Sequence, residues 1–124
     1  MARILVVDDS RITRRLLASA LKDAGHEVTQ ACDGEEGLET FKSSEFDMVF
    51  SDLLMPKMDG FEMTAGILEI NPQMPVVVAT ADIQESSLER CEEIGVRRLI
   101  NKPFKPADIT DAVDEFLVSA GGSV

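Results

Sequence analysis

Ile4-Leu5-Val6-Val7-Asp8-Asp9-Ser10 is the stretch that decides the fold, because four apolar residues lead directly into two carboxylates. The apolar run is continuous instead of alternating, which is typical of a strand buried on both faces of a parallel sheet. Residues 48–50 and 76–79 have the same character, and residues 28–31 and 98–100 are weaker examples. The sequence therefore predicts five strands.

Segments with helical periodicity separate these strands. The first is capped by Ser10, ends before Gly25 and places its apolar residues on one predicted face: Ile12, Leu16, Leu17, Ala20, Leu21 and Ala24. Further helices are predicted after Asp33, after Asp59, over residues 83–94 and from Pro106 onward. This alternation predicts an α/β fold, an open doubly wound five-stranded parallel sheet with five flanking helices.

The composition limits the possible functions. A chain of 124 residues, 44% hydrophobic and 28% charged, fits one compact domain over residues 1–124. A net charge of −11 repels phosphate backbones and anionic lipid, so we expect no nucleic-acid partner and no membrane partner. Cys32 and Cys91 lack metal-binding spacing, which argues against zinc or a disulfide framework and favours a cytoplasmic location.

Polar side chains follow four of the predicted strands. Asp8 and Asp9 follow the first, Asp52 the third and Lys102 the fifth, while Thr80 ends the fourth. Parallel strands end at one edge of a sheet, so these groups converge, and carboxylates at 4 Å repel each other by roughly 1–4 kcal/mol. Mg²⁺ and Lys102 together would neutralise the three carboxylates. The sequence thus predicts a magnesium site that can admit a phosphoryl group, with one aspartate as its acceptor.

These stretches together resemble the receiver domain of bacterial response regulators, especially the stand-alone chemotaxis type. The resemblance covers essentially the whole chain and rests on four motifs: Ile4-Leu5-Val6-Val7-Asp8-Asp9-Ser10, Ser51-Asp52-Leu53-Leu54-Met55-Pro56-Lys57-Met58-Asp59-Gly60, Thr80-Ala81 and Lys102-Pro103-Phe104. It implies a flavodoxin-like sheet with strand order 2-1-3-4-5 and a cis peptide bond between Lys102 and Pro103.

The resemblance also implies a role for each site residue. Asp52 corresponds to the phospho-acceptor, Lys102 to the lysine that pairs with the phosphoryl oxygens, and Thr80 to the hydroxyl that moves toward the phosphoryl group. The implied metal ligands are Asp9 directly, Asp8 through water, Asp52, and the backbone carbonyl of Leu54. A lone aspartate after a strand is usually only a helix cap, so the interpretation depends on the whole constellation.

Two positions depart from the family pattern. Leu99 stands three residues before Lys102, where the family usually carries an aromatic residue that swings during switching. Leu54 stands two residues after Asp52, where a polar side chain often orients the hydrolytic water. We therefore expect slow self-dephosphorylation, with Asp82 as the polar neighbour that could assist, and an output face reshaped through aliphatic packing.

The function implied is that of a single-domain response regulator in a two-component system, with chemotaxis as one candidate pathway. The chain has one histidine, His26, and no ATP-binding motif, so the phosphoryl group must come from outside. The resemblance implies a histidine kinase that donates it from a phosphohistidine. A protein target would bind the face of helix 4, strand 5 and helix 5, and a phosphatase is a further candidate partner. We expect a self-phosphorylating and self-dephosphorylating switch, not a turnover enzyme, and a monomer, since no apolar surface stripe is obvious.

Other interpretations remain open at this stage. In the same fold, the chain could be a phosphorelay intermediate that passes its phosphoryl group to a histidine phosphotransfer protein. A hydrolase of the haloacid dehalogenase type would need an acid where Leu54 stands, and a flavodoxin-like carrier would need a phosphate loop where Asp8 and Asp9 stand. The basic residues Arg11, Arg14 and Arg15 form either a solvated helix face or a docking site.

Overall fold

Strands and helices alternate along the computed structural model, which describes residues 2–82 and 84–118. Their bounds are β1 Arg3–Val7, α1 Arg11–Asp23, β2 Glu27–Ala31, α2 Gly34–Ser43, β3 Met48–Ser51, α3 Gly60–Ile70, β4 Val76–Thr80, α4 Glu85–Ile94, β5 Arg98–Asn101 and α5 Pro106–Val113, which continues as a π-helical turn over Asp114–Val118. All five predicted strands are confirmed. The predicted start of the fourth helix, Ile83, lies outside the described residues.

The five strands form one parallel sheet in the order β2-β1-β3-β4-β5, which confirms the predicted fold class. Val7 at the end of β1 pairs with Ala31 on one side and with Ser51 on the other. Thr80 at the end of β4 pairs with Asn101 at the end of β5. The chain therefore reverses its winding direction between β1 and β3, and open sheets of this kind bind ligands outside the strand ends at that point.

Strand β1 is apolar from Ile4 to Val7 because helices cover both faces of the sheet. Ile4 and Val6 belong to the cluster formed with α1 and α5, which includes Leu17, Leu21 and Ile109. Leu5 and Val7 belong to the cluster formed with α2 and α3, which includes Phe41, Met63 and Ile67. The alternating side chains of one strand thus enter two different cores, and the residues that follow the strand emerge at a fixed place.

The helix boundaries follow the predicted capping residues. Ser10 Oγ accepts a hydrogen bond from the backbone N–H of Thr13 at 3.3 Å. Asp33 and Asp59 cap α2 and α3 in the same way, each accepting from the N–H three residues later. Gly25, just after α1, has φ +92°, a conformation that glycine adopts without steric cost. These caps fix where each helix leaves the carboxyl edge of the sheet.

The predicted apolar face of α1 is wrong in part. The buried residues of α1 are Leu17, Ala18 and Leu21, whereas Ile12 is 75% exposed and Leu16 is 58% exposed. Ile12 and Leu21 are separated by about two and a half turns, which puts them on opposite sides of the helix. Treating both as one face made the apolar stripe too wide. The exposed pair also weakens the premise from which a monomer was expected.

The described part of the chain contains no helix with the length and apolar character needed to span a bilayer. Both cysteines are free, as expected from their spacing, with Cys32 exposed and Cys91 buried.

Candidate functional site

Strand register places Asp8 and Asp52 side by side. Val7 pairs with Ser51, so the next residue of each strand emerges at the same height of the sheet. The N–H of Asp52 donates to the carbonyl of Val7 at 3.1 Å, which ties the two strand ends together. Both carboxylates therefore enter the crevice between β1 and β3.

Three carboxylates meet at this crevice. Oxygens of Asp8, Asp9 and Asp52 all lie within 4.8 Å of one another. The side chain of Asp8 is 1% exposed and that of Asp52 is 12% exposed, whereas Asp9 faces solvent. Oxygen donors at this spacing are the ligands that Mg²⁺ prefers, and the exposed Asp9 leaves a path from solvent. The residues present fit the predicted metal.

Lys102 bridges the two buried carboxylates. Its Nζ donates to Asp52 Oδ2 at 2.8 Å and to Asp8 Oδ2 at 2.9 Å. Burial alone would lower the pKa of Lys102, but the hydrogen bonds to Asp52 and Asp8 outweigh it and the pKa is raised. Burial raises the pKa of Asp8, and the hydrogen bonds from Lys102 and from the N–H of Ser10 offset this only in part. Lys102 therefore stays protonated between two acids.

Both buried carboxylates are oriented by backbone donors as well. Asp52 Oδ1 accepts from the N–H of Leu53 at 2.6 Å, and Asp8 Oδ1 accepts from the N–H of Ser10 at 2.8 Å. The carbonyl of Asp8 accepts a hydrogen bond from Nη1 of Arg14 at 2.8 Å, a contact that sequence reasoning missed. The sequence places Arg14 one helical turn after Ser10. That position alone does not show whether the side chain bonds to the backbone of Asp8 or extends into solvent.

Thr80 lies at the end of β4 and is 1% exposed. Its Oγ1 accepts from the N–H of Asp82 at 3.1 Å, and no hydrogen bond from it to the three carboxylates occurs among the described residues. The carboxylate of Asp82 in turn accepts from the N–H of Gln84 and from Oγ of Ser87, on α4. Thr80 is thus connected to the start of α4 through Asp82, and the carboxylate expected to assist dephosphorylation already accepts two hydrogen bonds there.

The profile of the response regulator receiver domain matches residues 4–114. The chain belongs to the response regulator receiver domain family. The receiver domain is 32% identical to the chemotaxis protein CheY of Thermotoga maritima over 114 residues, which cover 91% of the chain and 95% of that protein. It is 40% identical to the sensor histidine kinase RcsC of Salmonella typhimurium over 100 residues, or 81% of the chain. The matched segment is 10% of the length of that kinase, so the receiver domain corresponds to a small part of it.

Solved receiver structures have the same fold. A CheY-like receiver domain protein from Methanospirillum hungatei superposes with a TM-score of 0.94 at 25% identity, covering 100% of this chain and 99% of that one. A chain of the CheX-CheY-BeF3-Mg²⁺ complex from Borrelia burgdorferi superposes with a TM-score of 0.88 at 30% identity, covering 94% and 89%. The receiver domain is therefore a CheY-like signalling module of two-component systems.

The two atypical leucines of this receiver domain occupy different environments. Leu54 is 64% exposed and borders, with Ala81, Asp82 and Gln84, an open depression of about 610 Å³ beside the loop after β3. Leu99 is partly buried and packs against the cluster of Leu53, Phe61, Val78 and Cys91 under α4. The position of the usual switch aromatic is thus filled by an aliphatic contact to α4.

The loop after β3 is compressed against the start of α3. The N–H of Gly60 donates to the carbonyl of Leu53 at 2.8 Å, and a Cβ on Gly60 would collide with the carbonyl oxygen of Asp52. Lys57, in the same loop, has φ +66°, and its exposed Nζ lies 3.9 Å from Asp33 Oδ2. The peptide bond between Lys102 and Pro103 is cis, as the resemblance implied. Sequence reasoning predicted that a helix begins after Asp59 but missed that residue 60 must be glycine.

Proposed function

We propose that this receiver domain is a single-domain response regulator that takes a phosphoryl group from a kinase phosphohistidine onto Asp52. The observation that carries the proposal is the position of Asp52, 2.8 Å from the half-buried Lys102 and beside two further carboxylates. An isolated structural aspartate needs no such neighbours, whereas a phosphoryl acceptor needs positive charge placed in advance.

The described contacts explain how Asp52 would react. Lys102 and the N–H of Leu53 each fix one carboxylate oxygen, so the nucleophile is oriented before the donor arrives. An Asp52 oxygen attacks phosphorus, the bond from phosphorus to the donor imidazole nitrogen breaks, and that nitrogen keeps the electron pair. Lys102 offsets the charge of the phosphoryl oxygens, as lysines do in other phosphoryl transfers.

Asp8, Asp9, Asp52 and the backbone carbonyl of Leu54 are the groups that would bind Mg²⁺. Support comes from the spacing of the three carboxylates and from the similarity to a chain of the CheX-CheY-BeF3-Mg²⁺ complex of Borrelia burgdorferi. When bound, Mg²⁺ would neutralise carboxylate charge and charge developing on the phosphoryl oxygens. Because Asp9 is exposed and the other two carboxylates are buried, the ion would enter from the side of Asp9.

Output would pass from Thr80 to the face formed by α4, β5 and α5. Phosphorylation can shift a conformational equilibrium only through contacts that differ between the two states. Thr80 is a buried hydroxyl at the end of β4, and Asp82 connects it to α4. Leu99 lies under α4 and Leu88 on its surface is 39% exposed, so a target on this face would sense aliphatic repacking.

The donor would dock over α1. Ile12 and Leu16 are exposed neighbours on this helix, and Leu16 lines an open cavity of about 340 Å³ that also reaches Lys102, Pro103 and Phe104. A donor protein must cover the surface beside Asp52 to bring its phosphohistidine into reach. Leu16→Asp should therefore slow transfer from a kinase at least tenfold and leave labelling by acetyl phosphate unchanged. Equal slowing of both reactions would contradict this docking surface.

A transfer assay tests the proposed function. A histidine kinase that carries a radiolabelled phosphoryl group on its histidine is mixed with the receiver domain and Mg²⁺. The label on each protein is then followed by gel electrophoresis. Asp52→Asn should abolish labelling, whereas Asp23→Asn, an exposed aspartate at the opposite end of α1, should leave it intact. Labelling that persists in Asp52→Asn would refute the assigned acceptor.

The phosphorelay alternative is supported by the match to a segment of a sensor histidine kinase. It predicts fast transfer from phosphorylated Asp52 onward to a histidine phosphotransfer protein and no phosphorylation-dependent binding of another target. Binding of a phosphatase or target only after phosphorylation would favour the switch instead. We further propose a cytoplasmic location, which is consistent with the two free cysteines. We also propose that the protein is a monomer, which light scattering would test.

A further inference from the structure

Asp8 directly follows β1, and its carbonyl accepts no hydrogen bond from the neighbouring strands, whose residues are all described. The carbonyl of Val7 still accepts from the N–H of Asp52, and the N–H of Asp8 still donates to Ala31. Strand pairing ends at this point, and the guanidinium of Arg14 supplies the donor instead: Nη1 donates to the Asp8 carbonyl oxygen at 2.8 Å. Arg14 is half-buried, unlike its exposed neighbours Arg11 and Arg15.

This hydrogen bond fixes a peptide plane that matters for the acidic site. The Asp8 carbonyl and the Asp9 N–H belong to the same rigid peptide unit, so holding one orients the other. The carboxylate of Asp8 has its own partners, Ser10 and Lys102, whereas the side chain of Asp9 makes no described hydrogen bond. The direction of Asp9 within the described structure therefore depends on its backbone.

We propose that Arg14 is a positioning residue for divalent-cation binding, which acts by orienting the Asp8–Asp9 peptide unit. It touches neither the phosphoryl group nor the ion in this role. The inference rests on the proposed metal site but not on phosphoryl transfer to Asp52.

The positive charge of Arg14 and its orienting contact have opposite expected effects on Mg²⁺ affinity, so the inference can be tested. A positive charge near three carboxylates repels a cation, so its removal should tighten Mg²⁺ binding if charge alone mattered. Loss of an orienting contact should weaken binding, and partners that orient metal ligands typically contribute about 10–100-fold in affinity. Arg15 offers a matched control because it lies on the same helix, carries the same charge and is exposed.

The experiment is a calorimetric titration of the unphosphorylated protein with Mg²⁺ at fixed ionic strength. Arg14→Met should bind Mg²⁺ about tenfold more weakly than the unsubstituted protein, and Arg15→Met equally well or slightly more tightly. Arg14→Lys keeps the charge and one donor and should lose about threefold. Affinity in Arg14→Met equal to or higher than in Arg15→Met would overturn the inference, as would unchanged affinity in both Arg14 variants.

A second readout separates positioning from general damage to the fold. Far-ultraviolet circular dichroism in EDTA should show Arg14→Met folded, and labelling of Asp52 by acetyl phosphate should recover at saturating Mg²⁺. Recovery supports a role confined to cation affinity. Failure to recover in a folded protein that binds Mg²⁺ normally would overturn it, whereas absence of Mg²⁺ binding in the unsubstituted protein would overturn the proposed metal site and Arg14 with it.

Discussion

Lys102→Met should strongly destabilise the receiver domain in the absence of metal. The Nζ of Lys102 makes contacts of 2.8 and 2.9 Å with Asp52 and Asp8, and the Lys102 side chain is 18% exposed. Methionine preserves most of the side-chain volume and removes the charge. The substitution leaves two buried carboxylates facing each other, with Asp9 close by.

The magnitude follows from the spacing of these carboxylates. Two unit charges at 4.8 Å repel by about 1–3 kcal/mol between the dielectric limits of water and a protein surface. Removing one partner of a buried ion pair costs about 3–5 kcal/mol. Because water reaches Asp9 and part of Asp52, we expect the lower end, about 3 kcal/mol, or a fall in Tm of about 12 °C for a domain of this size.

Urea unfolding followed by circular dichroism measures this loss, since the chain contains neither Trp nor Tyr. The measurement is made in EDTA and again with saturating Mg²⁺, which should recover about 2 kcal/mol because a dication replaces the missing positive charge. Lys105→Met removes the same charge from an exposed position and should change stability by less than about 0.5 kcal/mol. Equal stability of the two variants in EDTA would refute the claim that Lys102 offsets the acidic cluster.

Three further predictions concern the loop, the glycine contact and alkaline pH. Leu54→Asn should speed decay of the aspartyl phosphate about tenfold, because one hydrogen bond to the hydrolytic water contributes about 1.4 kcal/mol. Leu54→Ala adds no hydrogen bond and should leave the decay rate unchanged. An unchanged decay rate in Leu54→Asn would contradict this prediction. Gly60→Ala should cost about 3 kcal/mol of unfolding free energy, because its Cβ meets backbone of Asp52, whereas Gly66→Ala on the same helix meets only the flexible Leu38 side chain and should be neutral or stabilising. Stability should also fall as pH rises above 10.5, where unfolded Lys102 loses its proton while the folded protein, with its raised pKa, retains it. The decline should be shallower in Lys102→Met, and parallel pH curves would contradict the raised pKa.

The fold was predictable because each strand and its flanking polar residues agree on one architecture. Continuous apolar runs such as residues 76–79 indicated burial on both faces, and the structure places all five residues of β4 in the core. Ser10 and Asp59 gave the helix starts, because a capping side chain acts within three residues. Local chemistry was sufficient at these points.

The candidate site was predictable as a set of residues but not as a set of contacts. Strand ends brought Asp8, Asp52 and Lys102 together as expected, since parallel strands share one edge. The bond from Arg14 to the Asp8 carbonyl depends on the angle at which α1 crosses the sheet, which periodicity does not give.

The steric demand at Gly60 has a similar origin. It arises where α3 approaches the loop after β3, so it depends on tertiary packing and leaves no mark beyond the glycine itself. The roles of the site residues stay predictions, because they concern the phosphorylated and metal-bound protein: Asp8, Asp9, Asp52, the Leu54 carbonyl, Thr80 and Lys102.

Intact-mass spectrometry after incubation with acetyl phosphate and Mg²⁺ tests the central claim most directly. We predict a gain of one phosphoryl group that disappears in Asp52→Asn and in the presence of EDTA, and that persists in Asp23→Asn. A protein that binds Mg²⁺ yet gains no phosphoryl group, or gains it equally in Asp52→Asn, would contradict the account of Asp52 as the acceptor.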